Sequence, residues 1–327
     1  MEKIYLVTGA SGHLGSTLVR FLKKDGFRII ALTLPGEEAY VDKDIEICQG
    51  NVNDMESLER FFAYTKGKKA ILFHCAGIVS ISSKENPLLN KVNIEGTENI
   101  LKMALKHGIK KMIYVSSVHA ILEEEEGITC EPQQFYPEKI GDPYGRSKAC
   151  GTLLCLDYAK KGLDVSIVHP AGIYGPGDYR KNNHAVNSVR VLSKFPTPVG
   201  VEGGFDFVDV RDVAQGMIDC AGKGRKGECY ILAGHYLSVM DLINSINEIC
   251  GRRKISLCLP YRIVRPFTPL MEKVISLFSP KPLITPYSLA VLNTNGHFSH
   301  EKACREFDYR TRDAKDSIRD MIDEFTK

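Results

Sequence analysis

No apolar run in this chain approaches the roughly 18 residues that a membrane-spanning helix needs. The nearest stretch, 261–284, is broken by prolines and is expected to be a substrate lid or a packing helix. An excess of one charge is also missing: 43 basic residues face 40 acidic ones, the net charge is +3, and the basic residues are scattered. Electrostatics therefore gives no case for nucleic acid or an anionic membrane as partner. The ten cysteines form no CxxC pair, and Glu2 and Lys3 lead directly into a strand-like run rather than a secretory signal. The expectation is reduced thiols and a cytoplasmic protein. Internal repeats and low-complexity tracts are absent as well. What is present is an ordinary globular composition over 327 residues, 43% hydrophobic and 25% charged, long enough for one large core and a smaller appended lobe.

Short β-branched runs (KIYLVT, FRIIAL, IEIC, AILFHC, KKMIYVSS, DVSIVHP) alternate with helix-like segments such as 86–107. This alternation predicts an α/β fold built on a doubly wound parallel sheet. The rhythm breaks after Pro170 at a Gly/Pro-rich run, 171–178. Residues 1–170 are expected to form the first domain and 171–327 mainly a smaller C-terminal α/β substrate lobe, with segments near 205–235 returning to the first.

Directly after the first strand stands TGASGHLG, residues 8–15. Gly9 permits a tight turn, Gly12 lets the backbone approach a pyrophosphate, and Gly15 lets the new helix lie close to the sheet. An anion is favoured there by free N–H groups and the helix dipole. A glycine pattern alone also fits a plain loop; its position between a strand and an amphipathic helix (Leu14, Leu18, Phe21, Leu22) favours the dinucleotide reading.

Further along, GDPYGRSKAC starts a helix, with Asp142 as cap and Pro143 in the first turn. Tyr144 and Lys148 then share one face, four residues apart. An ordinary phenol, with a pKa of about 10, is a poor acid-base group at neutral pH. A neighbouring ammonium is expected to stabilise its phenolate and bring it toward the working range. Ser116 and Ser117 end the strand KKMIYVSS at the carboxyl edge of the sheet, where open α/β folds bind ligands. A hydroxyl there can hold a carbonyl oxygen beside the tyrosine, although strand-end serines also serve as ordinary turn formers.

In order along the chain, TGASGHLG, HCAG (74–77), VNIEGTENIL, YGRSK, HPAGIYGPGD and FVDVRDVA resemble the motif set of the extended short-chain dehydrogenase/reductase superfamily, the NAD-dependent epimerase/dehydratase family. The resemblance covers nearly the whole chain. In character it is nearest to dihydroflavonol reductase-like and hydroxysteroid dehydrogenase-like members. It implies a Rossmann-type sheet, NAD or NADP as cofactor and no metal. It also implies that Tyr144 gives or takes the proton, that Ser117 positions the substrate oxygen, and that Lys148 binds the nicotinamide ribose while tuning Tyr144. Cofactor contacts are implied at Gly9, Ser11, Gly12, His13, Leu14, Asn51, Val52, Cys75, Ala76, Gly77, Lys148 and Pro170. Asn93 is either structural or part of a proton relay, and homodimerisation through the helices near 86–107 and 142–161 is suggested.

The chain departs from the family pattern at several positions. Asn51 stands where an Asp usually recognises adenine, and its amide can serve the same edge. Thr33 stands where NAD-preferring members carry an acid and Leu34 where many NADP-preferring members carry Arg, so the phosphate preference is open. Arg28 lies too early in its strand to substitute. His169 replaces an Arg and is expected to pack or hydrogen-bond. The Arg that nucleotide-sugar enzymes use on the substrate diphosphate is replaced by Phe205, although Arg211 or Arg262 could supply another. The resulting expectation is an NAD(P)-dependent oxidoreductase acting on a carbonyl or secondary alcohol of a small apolar ring substrate. The alternatives are a nucleotide-sugar epimerase or dehydratase and a non-catalytic, dinucleotide-binding redox sensor. Phe205, Phe207, Phe267, Leu270, Met271, Ile275 and Phe278 are the candidates for an apolar pocket, with core packing as the other explanation for the stripe.

Overall fold

The computed structural model describes residues 3–24, 26–80, 85–269, 273 and 285–326. Leu270, Met271, Ile275 and Phe278 lie outside the described residues. Six strands form in the first half: Lys3–Thr8 (β1), Arg28–Thr33 (β2), Glu46–Gln49 (β3), Lys69–His74 (β4), Lys111–Val115 (β5) and Val165–Pro170 (β6). After them come Gly172–Tyr174 (β7), Gly200–Val201 (β8), Gly204–Asp209 (β9), Cys229–Leu232 (β10), His235–Ser238 (β11) and Cys258–Leu259 (β12). The main sheet has the order β10-β6-β5-β4-β1-β2-β3 and every pairing in it is parallel. Helices cover both faces, so its strands are apolar along their length: Ile4, Leu6, Val7, Leu72, Phe73, Met112 and Ile113 are all fully buried, as expected for a parallel sheet. The direction of winding reverses between β1 and β4, and the carboxyl ends of those strands open the crevice in which such sheets bind ligands.

Residues beyond 170 divide between two cores. The three-stranded sheet β11-β9-β7 and the pair β12-β8 stand apart from the main sheet. Beside them Tyr174, Val186, Val189, Ile246, Ile318, Met321 and Ile322 form a separate small core. The helix Val210–Lys223 instead packs on the helix His13–Lys23, and β10 extends the main sheet alongside β6. The helix Glu301–Phe307 covers that edge, where Phe307 meets Tyr230 edge-on at 5.0 Å. Among the described residues no helix is long and apolar enough to cross a membrane.

Candidate active site

The glycine loop is shaped by sterics. Gly9 sits at φ +67°, and a Cβ there would lie 2.6 Å from the Ala76 backbone nitrogen. A Cβ on Gly15 would lie 2.1 Å from the Gly9 carbonyl oxygen, so only glycine lets the helix start this close to its own loop. Gly12 is the N-cap of helix His13–Lys23, and no side chain caps that end. Its first-turn N–H groups are therefore left for an anion. A Cβ on Gly12 would meet only the Gly9 carbonyl oxygen, at 3.3 Å, which leaves the backbone open to close approach. These features fit the pyrophosphate of a dinucleotide.

The other residues expected at the cofactor divide by side chain. The His13 imidazole bonds the Pro176 carbonyl oxygen at 3.1 Å and Asn183 at 3.1 Å, so it ties the loop to the second lobe and leaves only its backbone for a ligand. Leu14 points into the core. Ser11 Oγ donates to Glu37 Oε2 at 2.5 Å. Asn51 is exposed, with its Oδ1 accepting from the Asn53 N–H at 2.9 Å, whereas Val52 is buried. The Cys75 and Ala76 N–H groups donate to Thr8, at its carbonyl (3.2 Å) and its hydroxyl (3.2 Å). Gly77 is exposed, and a Cβ there would lie 3.3 Å from both Asn93 Oδ1 and Lys148 Nζ. Pro170 ends β6 and is buried.

The catalytic candidates converge at the end of β5. Asp142 caps the helix Pro143–Lys160, its carboxylate accepting from the Gly145 N–H at 2.6 Å. A Cβ on Gly145 would lie 2.4 Å from the His119 carbonyl oxygen, so glycine lets this helix press against the turn that carries Ser117. Of the two strand-end serines, Ser116 pairs with Thr152 at 2.8 Å, while Ser117 Oγ accepts from the His119 N–H at 3.2 Å and lies near enough to Tyr144 to pull its pKa down. Ser117, Tyr144 and Lys148 are all buried. Lys148 Nζ donates to the Val115 carbonyl at 2.7 Å.

Electrostatically the site differs from the sequence expectation. Burial pushes the Tyr144 phenol up to about 12, against a downward pull from Ser117, and it lowers Lys148 to about 8. Lys148 is engaged with Val115 and is not among the groups that move Tyr144, so desolvation wins. A tyrosine in this state is protonated at neutral pH and suited to donate.

Residues around the trio hold it in place. Asn93 lies in a π-helical turn, Lys91–Gly96, between helices, a distortion frequent at functional sites. Its amide accepts from the Ile78 N–H at 2.8 Å and donates to the Ile78 carbonyl at 3.0 Å and to Ser147 Oγ at 2.9 Å. Every polar atom of its side chain thus serves positioning. His169 bonds the Ser117 carbonyl at 2.9 Å and stacks on Phe135 at 5.4 Å, and burial lowers it to about 4. It is neutral and braces the turn that carries Ser117.

His119 is the neighbour that sequence reasoning missed. Its ring stacks on Phe205 at 5.5 Å and meets Tyr144 edge-on at 6.0 Å. Phe205 also meets Phe298 at 5.7 Å. These rings pack beside the tyrosine, with Phe205 and Phe298 themselves buried in the main core. Phe207 packs on Tyr174 in the second lobe, and Phe267 is exposed. The motif SSVH placed His119 two residues past Ser117; its contact with β9 was not readable from that spacing.

The sequence model described as the NAD dependent epimerase/dehydratase family matches residues 5–233. The chain is 29% identical over 305 residues to Sterol demethylase protein B of Methylococcus capsulatus, covering 92% of each. It is 27% identical over 329 residues to the "Putative dihydroflavonol 4-reductase" of Synechocystis, covering 98% of this chain and 94% of that one. The crystal structure of gox2253 matches with a TM-score of 0.83 at 30% identity, covering 99% of this chain and 98% of the other.

Proposed function

The chain belongs to the NAD dependent epimerase/dehydratase family, in the extended branch of the short-chain dehydrogenases/reductases, and on that premise we propose that it interconverts a carbonyl and a secondary alcohol on an apolar ring substrate. When bound, the nicotinamide supplies or accepts the hydride. Tyr144 holds the proton to be given to the substrate oxygen, Ser117 donates a hydrogen bond to the same oxygen, and Lys148 reaches from the helix toward the ribose side of the cleft. His169 and Asn93 hold these groups without touching substrate.

The observation that carries the ring-substrate reading is the stack of Phe205 on His119 beside Tyr144. An aromatic ring beside Tyr144, at the position where the family resemblance expects the diphosphate-binding Arg of nucleotide-sugar enzymes, supports an apolar ring substrate over a diphosphate. Arg211 is already engaged: it donates to both oxygens of Asp209, at 2.9 and 2.7 Å, and to Asp320 at 2.6 Å. A diphosphate held by Arg211 would have to break those charge-assisted bonds. The names of the two curated relatives, a sterol demethylase protein and a dihydroflavonol reductase, support ring substrates as well.

An absorbance screen with NADH and NADPH against alicyclic and aromatic ketones, aldehydes and UDP-sugars tests the proposal, together with calorimetry for UDP. Reduction of ring carbonyls without UDP binding is expected. Tight UDP-sugar binding with no ketone reduction would replace it with the epimerase or dehydratase reading.

A further inference from the structure

The reading of the cleft as a dinucleotide site leaves open how the chain distinguishes NAD from NADP, and the following rests on that reading. The strand-end positions do not decide it. Thr33 is buried, with its hydroxyl enclosed and unpartnered, and Leu34 is apolar. Past the strand, however, the chain turns back on itself. The Glu37 N–H donates to the Leu34 carbonyl at 3.1 Å, and Gly36 between them sits at φ +86°. This turn returns a carboxylate to the glycine loop. Glu37 Oε2 accepts from Ser11 at 2.5 Å, and Glu37 Oε1 pairs with Arg180 Nη2 at 2.7 Å. Arg180 comes from the second lobe, and its guanidinium lies over the Tyr40 ring at 5.6 Å. The Glu37 side chain is 18% exposed and that of Arg180 30%, so the pair lies half-buried beside the glycine loop rather than in bulk water.

We propose that Glu37 accepts the adenosine ribose hydroxyls in place of the missing strand-end acid, and that the Glu37–Arg180 pair selects NAD over NADP. A carboxylate offers about four acceptor sites. Ser11 and Arg180 occupy two of them, which leaves acceptors for a diol. An acid beside the glycine loop is the group that reads a free ribose 2′-hydroxyl. A 2′-phosphate would bring its charge against Glu37 and would also have to take Arg180 away from it, leaving two anions side by side. Arg180 is thus a latent phosphate ligand held in check by Glu37.

Fluorescence titration of NADH and NADPH into the full chain tests this without reference to turnover. Wild type should bind NADH at least about tenfold tighter than NADPH, the size expected for one hydrogen bond to a charged group. Glu37→Gln should weaken NADH by roughly tenfold and tighten NADPH, because Arg180 is released. Adding Arg180→Met to Glu37→Gln should abolish the NADPH gain without restoring NADH. Arg180→Met alone should weaken NADPH more than NADH, so that the NADH-to-NADPH affinity ratio rises further. Wild-type preference for NADPH, or an NADH-to-NADPH ratio unmoved by Glu37→Gln in a folded variant, would overturn the assignment. If folded wild type bound neither dinucleotide, the cofactor reading itself would fail and the inference with it.

Discussion

The Asn93 amide donates to Ser147 Oγ at 2.9 Å, joining the π-helical turn Lys91–Gly96 to the helix that carries Tyr144 and Lys148. Ser147 passes the link on by donating to the Tyr144 carbonyl at 2.7 Å. Asn93→Ala would leave the half-buried N–H and carbonyl of Ile78 and the buried Ser147 hydroxyl without their partner, and stability should fall by about 2–3 kcal/mol. Denaturant unfolding measures this. An unchanged midpoint together with a large loss of turnover would favour the proton-relay role for Asn93 over the positioning role.

Acid should weaken the fold through two neutral histidines. Burial lowers His74 to about 3 and His169 to about 4, and in the unfolded chain both return to about 6.5. Because the unfolded state binds more protons in this window, stability is lost as pH falls below about 6.5, by up to about 1.4 kcal/mol per pH unit for each histidine. His169→Gln retains a donor for the Ser117 carbonyl and should give a flatter decline between pH 6 and 4. Parallel wild-type and variant curves over that range would contradict the buried, neutral assignment.

Much of this was legible in the sequence because it depended on local geometry. The glycine spacing, the strand alternation and the i, i+4 placement of Tyr144 and Lys148 all follow from backbone periodicity. What was not legible depended on contacts between distant segments. Glu37 reaches Ser11 through the turn at Gly36, and its partner Arg180 comes from the other lobe. His119 acquires its role from Phe205 on β9. The direction of the Tyr144 shift was also hidden: spacing suggests a lysine that lowers it, whereas burial, which only the assembled fold determines, raises it.

The glycine loop gives a binding prediction. Gly12→Val would place a branched side chain at the uncapped helix end, so NADH titration should show dinucleotide binding lost while the melting curve remains cooperative. Normal binding by the folded variant would remove the loop from the cofactor site.

Tyr144 is proposed as the proton donor, and steady-state turnover of Tyr144→Phe on a ring carbonyl found active in the screen is the decisive measurement. The substitution removes the phenol hydroxyl while keeping the ring that packs against His119. Turnover should fall by roughly 10²–10⁴-fold, the contribution of a positioned acid, with NADH affinity nearly unchanged. Wild-type turnover in the phenylalanine variant would remove Tyr144 from the proton transfer.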